Sequence, residues 1–326
     1  MTAKAPGKSH REGVTIMQLA DIFPTDEEAR KWFEAKIWPN GRHCPRCGST
    51  RTSEAKHRHM PYWCTDCRSY FSVKTGSVME KSPLPLRKWV YAIYLHMTSL
   101  KGVSSMKLHR DIGVTQKTAW FMLQRIREAF DNDDEPPFAG PSEADETFVG
   151  GKRKNMSNSK RKELAGTGRG GSDKAAVVGV KDRETNQVRV QHVPATDMQN
   201  VAGFVALNAR LGTTVYTDDA AVYDILDAWY DHETVKHSVG EYVRDMAHTN
   251  GIESFWSMLK RAYVGTYHKM SEKHLQRYVT DFAGRHNVRE HGTMGQMASI
   301  ASGMAGKRLT YAALIADNGL ASGARA

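Results

Sequence analysis

The chain has 326 residues, enough for two or three domains that each bury a core of their own. Its composition, 40% hydrophobic and 25% charged, is that of a soluble globular protein, and its longest apolar stretch, near Trp89 to Met97, is too short to span a bilayer. A polar N-terminus without an apolar signal core predicts a cytoplasmic protein with no membrane partner, and the net charge of +10 favours a polyanion such as nucleic acid.

The first predicted element is a helix ahead of the cysteines. Thr25-Asp26-Glu27-Glu28 has the pattern of a capping box, and we expect the helix that it opens to run to about Ile37. Pro39-Asn40-Gly41 then ends this helix. We assign it a packing role and place it with the following segment in an N-terminal domain of residues 17–80.

All four cysteines lie in two CxxC pairs, Cys44 with Cys47 and Cys64 with Cys67, and sixteen residues separate the pairs. This spacing can place four thiolates tetrahedrally around one Zn²⁺ ion. A pair of disulfides is the alternative, but a cytosolic chain is kept reduced and no thioredoxin-like pattern surrounds these pairs. The sequence therefore predicts a zinc ribbon whose metal is structural, because four thiolates leave no coordination position open.

Residues 84–130 have apolar side chains at three- and four-residue spacing, which predicts helices. The stretch Ser104–Arg127 is typical of a helix-turn-helix, in which Gly113 permits the turn and Thr115 caps the second helix. We expect the polar and basic side chains of that second helix to face a DNA major groove. They are Gln116, Lys117, Trp120, Gln124 and Arg127, of which Gln116, Lys117 and Arg127 are the predicted DNA contacts. A plain helical hairpin that only joins domains is the alternative.

An acidic, proline-containing linker over residues 131–137 precedes a domain predicted for residues 138–292. In that domain three β-like runs are followed by alternating helices and strands, and a long helix begins at Ile252. The other predicted elements are strands 145–149, 175–181, 188–193, 213–217 and 234–237 and helices 198–209 and 222–229. This order is that of an RNase H-like α/β domain with a mixed sheet. For residues 293–326 we expect a loose tail with one short helix near 311–315.

Three acidic residues fall where such a fold gathers side chains. Asp145 lies on the first strand, Asp218 at the end of the fourth, and Glu253 in the first turn of the final helix. Grouped carboxylates repel one another and offer the hard oxygen ligands that Mg²⁺ and Mn²⁺ prefer. Lys260 follows two helical turns after Glu253 on the same helix face, where it can hold a phosphate. Three neighbouring acids are alternative candidates for the acidic site: Glu143, Glu146 and Asp219.

Around these residues the sequence resembles a known family. The segments D-E-T-F-V-G-G-K-R-K-N, T-D-x-x-x-x-Y and H-T-N-x-I-E-S-F-W-S-x-L-K-R are similar to those of bacterial insertion-sequence transposases of the zinc-ribbon group related to Merlin elements. The resemblance covers residues 20–290 and implies a DDE transposase in which Asp145 and Asp218 bind Mg²⁺ or Mn²⁺. The resemblance implies Glu253 as the third member of the catalytic triad, with Lys260 as its basic companion. If the third member is instead an asparagine, it would be Asn250. We prefer Glu253, because a carboxylate can bind metal.

The reaction implied by this resemblance has two steps. A phosphodiester is hydrolysed at each end of the element, and the exposed 3′-hydroxyls are then joined to target DNA by two-metal phosphoryl transfer. The ribbon and the helix-turn-helix would recognise the terminal inverted repeats of double-stranded DNA. Because two ends must be brought together, we expect a homo-oligomer, at least a dimer. The expected location is cytoplasmic and nucleoid-associated.

A basic, Gly- and Ser-rich insertion over residues 152–174 separates the first two predicted strands of this domain. Beside a nuclease-type site we interpret it as a DNA-clamping arm, because clustered cations neutralise phosphates. Lys152, Arg153 and Lys154 are its predicted contacts. A solvated charged loop is the alternative.

Other functions are compatible with parts of the pattern. A non-enzymatic DNA-binding regulator needs only the ribbon and the helices, although all three acids are present here. A plain RNase H-like nuclease needs the same acids for cleavage alone. A tyrosine recombinase is disfavoured, because no Arg and His constellation accompanies any of the twelve tyrosines.

Overall fold

A computed structural model of the chain describes residues 12–131, 135–151, 156, 158–163, 174–235 and 248–322. The chain divides into two compact units. Unit 1 comprises Met1–Asp131 and Val288–Ala316, and unit 2 comprises Asn132–Asn287 and Asp317–Ala326. Within the described ranges, no helix combines the length and the apolar character that crossing a membrane requires.

Both units contain helices and strands. The α-helices are α1 (Ile16–Ile22), α2 (Asp26–Ile37), α3 (Leu86–Thr98), α4 (Ser105–Ile112), α5 (Gln116–Arg127), α6 (Asn158–Glu163), α7 (Met198–Asn208), α8 (Asn250–Ala262), α9 (Glu272–Asn287), α10 (Thr293–Gly303) and α11 (Tyr311–Ile315). The strands are β1 (Thr52–Glu54), β2 (Tyr62–Cys64), β3 (Ser69–Phe71), β4 (Ser142–Val149), β5 (Ala175–Asp182), β6 (Val188–Val193), β7 (Thr214–Asp218) and β8 (Asp231–Val235). The 3₁₀ segments Glu128–Phe130 and Ala221–Ala228 and the π-helical turn Tyr263–Tyr267 are also present.

Two capped helices, rather than the single predicted one, precede the cysteines in unit 1. Thr25 caps α2 as the sequence predicts, because its hydroxyl accepts a hydrogen bond from the backbone N–H of Glu28 at 3.3 Å. The shorter α1 was not predicted, although Thr15 and Gln18 form a complete capping box at its start.

The ribbon is an antiparallel three-stranded sheet of β1, β2 and β3. Tyr62 and Phe71 are buried, and they belong to the same hydrophobic core as the apolar side chains of α2, α3 and α5. The predicted N-terminal domain, residues 17–80, and the predicted helical segment, residues 84–130, therefore share one core. Their separation into functional domains stays a prediction.

Helices α4 and α5 form the expected pair around Gly113, whose φ of 60° lies in the left-handed region that glycine tolerates. Thr115 caps α5 by accepting a backbone hydrogen bond at 3.2 Å. The prediction of an outward face was wrong for Gln124 and Arg127, which are 0% and 1% exposed. The physical reason is that residues 122–127 are all buried, so the second half of α5 is enclosed on every side.

The chain returns to unit 1 after residue 287, and here the prediction of a loose tail was wrong. Helix α10 contributes the fully buried side chains of Met297, Ile300 and Ala301 to the core of unit 1, and Met304, the residue that follows the helix, is fully buried as well. Their spacing of three and four residues is that of a helix with one apolar face. The predicted short helix near 311–315 is confirmed as α11.

The packing of α10 predicts that Ile300→Ala lowers the free energy of unfolding by about 2–5 kcal/mol, because it removes buried methyl groups and leaves a cavity. Equilibrium denaturation of wild type and variant measures the difference. Ser302→Ala, on the exposed side of the same helix, is the matched control and should change little. Equal stability of Ile300→Ala and wild type would show that this segment is not part of the core.

Unit 2 is built on a five-stranded mixed sheet with the order β6-β5-β4-β7-β8. Strands β4, β5 and β6 pair antiparallel, whereas β7 is parallel to β4 and β8 is parallel to β7. The consecutive residues Val177 and Val178 of β5 belong to two different cores, so each face of the sheet carries its own core. One core contains side chains of α8 and α9, and the other contains side chains of α7. The predicted α/β fold class, an RNase H-like mixed sheet with a preceding ribbon and helices, is confirmed.

Three predicted elements of unit 2 differ in detail. The segment expected as an α-helix over 222–229 is a 3₁₀ helix, whose buried Tyr223 and Leu226 recur at the three-residue period of that form. The strand expected at 234–237 is β8 and ends at Val235, and residues 236–247 lie outside the described residues. The long final helix is interrupted by Tyr263–Tyr267, which contains Gly265 and two β-branched residues of low helix propensity.

Candidate functional site

Strand β4 directs its side chains alternately to the two faces of the sheet. Glu143 and Asp145 share the face on which α8 packs, since the backbone N–H of Ile252 in α8 donates a hydrogen bond to Glu143. Glu146 lies on the opposite face, where its carboxylate accepts a hydrogen bond from the Tyr223 hydroxyl at 2.6 Å. The alternation thus separates Asp145 from Glu146, whereas Glu143 lies on the same face and is distinguished from Asp145 by its hydrogen bonds.

Asp145 and Asp218 lie on adjacent strands. Strands β4 and β7 pair in parallel with Ser142 beside Val215, and three residues further along each strand come Asp145 and Asp218. Asp218 is the last residue of β7, at the carboxyl end of a parallel strand, where open α/β sheets commonly bind ligands.

The third predicted acid is carried by α8. Glu253 lies in the first turn of this helix, and the Thr249 hydroxyl donates a hydrogen bond to its carboxylate at 3.0 Å. Glu253 and Lys260 are both exposed and lie two turns apart on one helix face. Asn250 is the first residue of α8 and is exposed as well, so it remains the alternative to Glu253. The catalytic roles of these residues stay predictions.

The carboxylates are close enough to repel one another. Burial, followed by the negative charges of Glu146, Asp218 and Glu253, raises the pKa of Asp145 from 3.8 to about 8. Such a group takes up either a proton or a cation at neutral pH. Among the residues that the structure describes, the four thiols are the one group of three or more potential ligands that lies close enough together to hold a metal ion. The oxygen atoms of Asp145, Asp218 and Glu253 are the kind of ligand that a hard divalent cation prefers.

Tyr223 was not assigned a role from the sequence, although it is the tyrosine of the T-D-x-x-x-x-Y segment. It is fully buried, and burial together with the charge of Glu146 raises the pKa of its hydroxyl well above 10. The phenol therefore stays protonated and donates to Glu146, whose own pKa is raised mainly by burial. This bond holds Glu146 on the face away from Asp145.

Glu143 is the other acid whose position the sequence left open. It is 2% exposed, and each of its carboxylate oxygens has a protein donor. Oε1 accepts from Nε of Arg183 at 2.9 Å, and Oε2 accepts from the backbone N–H of Ile252 at 2.8 Å. These bonds tie the carboxylate to the start of α8 and to Arg183, the residue that follows β5.

The four cysteines form a second candidate metal centre. All four Sγ atoms lie within 4.8 Å of one another, and the shortest separations are 3.6 Å, for Cys44 with Cys67 and for Cys47 with Cys64. Tetrahedral bonds to zinc place sulfurs about 3.8 Å apart, whereas a disulfide needs about 2.05 Å. The backbone N–H of Cys67 is the largest of the causes that lower the pKa of the Cys64 thiol to about 7. The cluster fits a structural zinc ion.

The residues predicted to contact DNA fall into three groups. Gln116 and Lys117 are exposed at the start of α5, and Nζ of Lys117 lies 4.5 Å from the ring centroid of Tyr311. Arg127 is buried, so its prediction as a DNA contact is corrected. The segment Lys152-Arg153-Lys154 lies outside the described residues.

Comparison with known proteins finds relatives of both parts of the chain. Residues 137–287 match the family described as an ISXO2-like transposase domain, and residues 24–69 match a transposase zinc-ribbon domain. A Halobacterium salinarum protein, named as an uncharacterized protein in transposable element ISH50, is 32% identical over 287 residues, which cover 83% of this chain and 94% of that protein.

The chain belongs to the ISXO2-like, zinc-ribbon family of insertion-sequence transposases. The ISXO2-like transposase match contains Asp145, Asp218 and Glu253, and the ribbon match contains all four cysteines. Family membership supports a transposase, and with it a divalent metal, a structural zinc at the four thiols and DNA as a partner.

The raised pKa of Asp145 predicts a stability cost in the absence of divalent cations. Since its folded pKa of about 8 exceeds its ordinary 3.8, the folded state binds the proton more tightly, and stability falls as pH rises from about 4 to about 8. At pH 7.5, without Mg²⁺ or Mn²⁺, Asp145→Asn should therefore be more stable than wild type by a few kcal/mol, at about 1.4 kcal/mol per pKa unit.

Equilibrium denaturation at pH 5 and pH 7.5, with and without Mg²⁺, measures this effect. Added Mg²⁺ should stabilise wild type and leave Asp145→Asn nearly unchanged. Asp224→Asn, at an exposed position of the same unit, is the control and should behave as wild type. Identical stability of wild type and Asp145→Asn at both pH values would refute the charge crowding.

Proposed function

We propose that the chain is a DNA transposase that binds the terminal inverted repeats of an insertion sequence, hydrolyses the phosphodiesters at its ends and joins the 3′-hydroxyls to target DNA. The observation that carries this proposal is the placement of Asp145 and Asp218 on the adjacent parallel strands β4 and β7, with Glu253 in the first turn of α8 on the same face of the sheet as Asp145. Membership of the transposase family supports the class of reaction.

In this proposal Asp145, Asp218 and Glu253 hold Mg²⁺ or Mn²⁺. A divalent cation bound there would supply activation of the attacking oxygen and stabilisation of the leaving oxygen. Lys260, exposed on the helix face that carries Glu253, binds a DNA phosphate next to the carboxylates. Thr249 orients Glu253 through its hydrogen bond to that carboxylate.

Recognition of the element ends is proposed for unit 1. Gln116 and Lys117 are supported by their exposure in the first turn of α5, because the first residues of a recognition helix reach base edges. Lys152, Arg153 and Lys154 are proposed to grip the DNA backbone. Because two ends have to be paired, the active form is proposed to be a homo-oligomer, at least a dimer. A DNA substrate supports the predicted cytoplasmic, nucleoid-associated location.

The proposal predicts metal-dependent joining of element ends to a target. Purified protein, labelled DNA that carries both ends, a target plasmid and Mg²⁺ or Mn²⁺ should give joined products. Asp145→Ala and Asp218→Ala should each lose more than about 100-fold in rate, beyond the range typical of residues that only support metal ligands. Asp219→Ala is the matched control beside Asp218 and should retain activity. Glu253→Ala and Asn250→Ala, compared side by side, identify the third member.

Each outcome of this assay has a distinct meaning. Loss of joining in Glu253→Ala but not in Asn250→Ala supports the carboxylate triad, and the reverse pattern would replace Glu253 by Asn250. Metal-dependent cleavage without any joining would favour a plain nuclease. Tight binding of the inverted repeats without strand cleavage, in Mg²⁺ and in Mn²⁺, would contradict the enzyme and favour a DNA-binding regulator.

A further inference from the structure

The N-terminus of α8 is capped by a side chain of the sheet rather than by the residue that directly precedes the helix. The side chain of Thr249, which occupies the capping position, makes no capping hydrogen bond and instead binds Glu253. The first backbone N–H groups of a helix need acceptors from outside the helix, and they favour negative charge. Glu143 supplies that charge from β4, because its Oε2 accepts the N–H of Ile252 at 2.8 Å.

The contact has almost no free space. A Cβ atom built on Gly251 would lie 2.7 Å from Oε2 of Glu143 and 2.6 Å from Nζ of Lys181. A side chain at position 251 would therefore displace the Glu143 carboxylate and the Lys181 ammonium, or else move the start of α8. Glycine in this first turn allows the helix end to lie directly against the carboxylate of Glu143.

A second glycine, in the sheet, allows α8 to approach the strands closely one turn further along the helix. Gly179 of β5 is paired with Asp145 of β4. A Cβ atom at Gly179 would lie 2.7 Å from the ring of Trp256, which is three residues after Glu253. The helix that carries Glu253 is thus pressed onto the sheet directly beside Asp145.

Arg183 fixes the other side of this contact. Its Nε donates to Oε1 of Glu143, its Nη2 donates to the carbonyl oxygen of His248, and its guanidinium lies 3.7 Å from the ring centroid of Tyr216. It therefore balances the buried charge of Glu143 and also holds the backbone just before α8. One carboxylate and one guanidinium, the latter on the residue that follows β5, connect β4, β7 and the start of α8 around the candidate triad.

We propose that Glu143 is a positioning residue for the divalent-metal site, which it serves by fixing the start of α8 so that Glu253 is held over Asp145. This rests on the proposed function insofar as the site is a metal site. In this proposal Glu143 acts through Arg183 and Ile252, to which its two oxygens are bonded, and not as a ligand of the metal.

Mn²⁺ binding to the purified full-length protein, followed by electron paramagnetic resonance at a temperature where all variants are folded, tests the proposal without DNA. Glu143→Gln keeps an oxygen for the N–H of Ile252 but loses the ion pair with Arg183, whereas Glu143→Ala loses both. The Mn²⁺ concentration for half-saturation should rise roughly 10–100-fold, more for Ala than for Gln, with the number of bound ions unchanged.

The Gly251→Ala variant tests the same contact without removing a charge. Its result does not depend on whether the Glu143 variants fold. Alanine has the higher helix propensity, so weaker Mn²⁺ binding in Gly251→Ala cannot come from a weaker helix. It should also raise the half-saturating concentration, since the added Cβ meets the Glu143 carboxylate. Glu272→Gln, a half-exposed carboxylate of unit 2 in α9, is the matched control and should bind Mn²⁺ as wild type does.

Two results would overturn the proposal. If Glu143→Gln and Gly251→Ala bind Mn²⁺ like wild type and only melt at a lower temperature, Glu143 has a purely structural role. If Glu143→Gln loses a bound ion, as Asp145→Ala is expected to do, Glu143 is a ligand. A wild type that binds Mn²⁺ through Asp145 but cuts no DNA would remove the proposed function and leave the positioning effect measurable in the same titration.

Discussion

The grouping of carboxylates away from water is the constraint on which the candidate site of unit 2 depends. Partial burial of Asp145, followed by the negative charges of Glu146, Asp218 and Glu253, raises its pKa, which means that the folded chain keeps these acids together at a cost in stability. Specific contacts offset that cost on both faces of the sheet. Tyr223 binds Glu146 on one face, and Thr249 binds Glu253 on the other. A site strained in this way gains stability when a divalent cation binds, which links the fold of the domain to the chemistry expected of its family.

Features determined by a few adjacent residues could be predicted from the sequence. Two CxxC pairs carry the geometry of a zinc site in their own spacing, and Gly113 and Thr115 mark a turn and a cap because their preferences are local. Three meandering strands followed by alternating helices and strands indicated the mixed sheet. Asp145 was placed correctly on its strand because a β-like run of residues is a local pattern, although the strand begins three residues earlier, at Ser142.

Features determined by contacts between distant segments could not be predicted in this way. Arg127 was expected to face DNA because its helix was treated as having one buried side, whereas the second half of α5 is enclosed all round. Glu143 looked like a rival ligand, and only its partners, 40 and 109 residues away, reveal a different use. The Ala-, Gly- and Met-rich C-terminal segment resembled a tail, although the spacing from Met297 to Met304 already had the period of a packed helix.

The most direct test of this account is the position of Mn²⁺ in crystals of the protein bound to DNA that carries an element end, located by the anomalous scattering of the metal. The account predicts Mn²⁺ bonded to carboxylate oxygens of Asp145 and Asp218, with Glu253 completing the ligand set. Mn²⁺ bonded to Glu143 or Glu146, or no Mn²⁺ between Asp145 and Asp218, would contradict it.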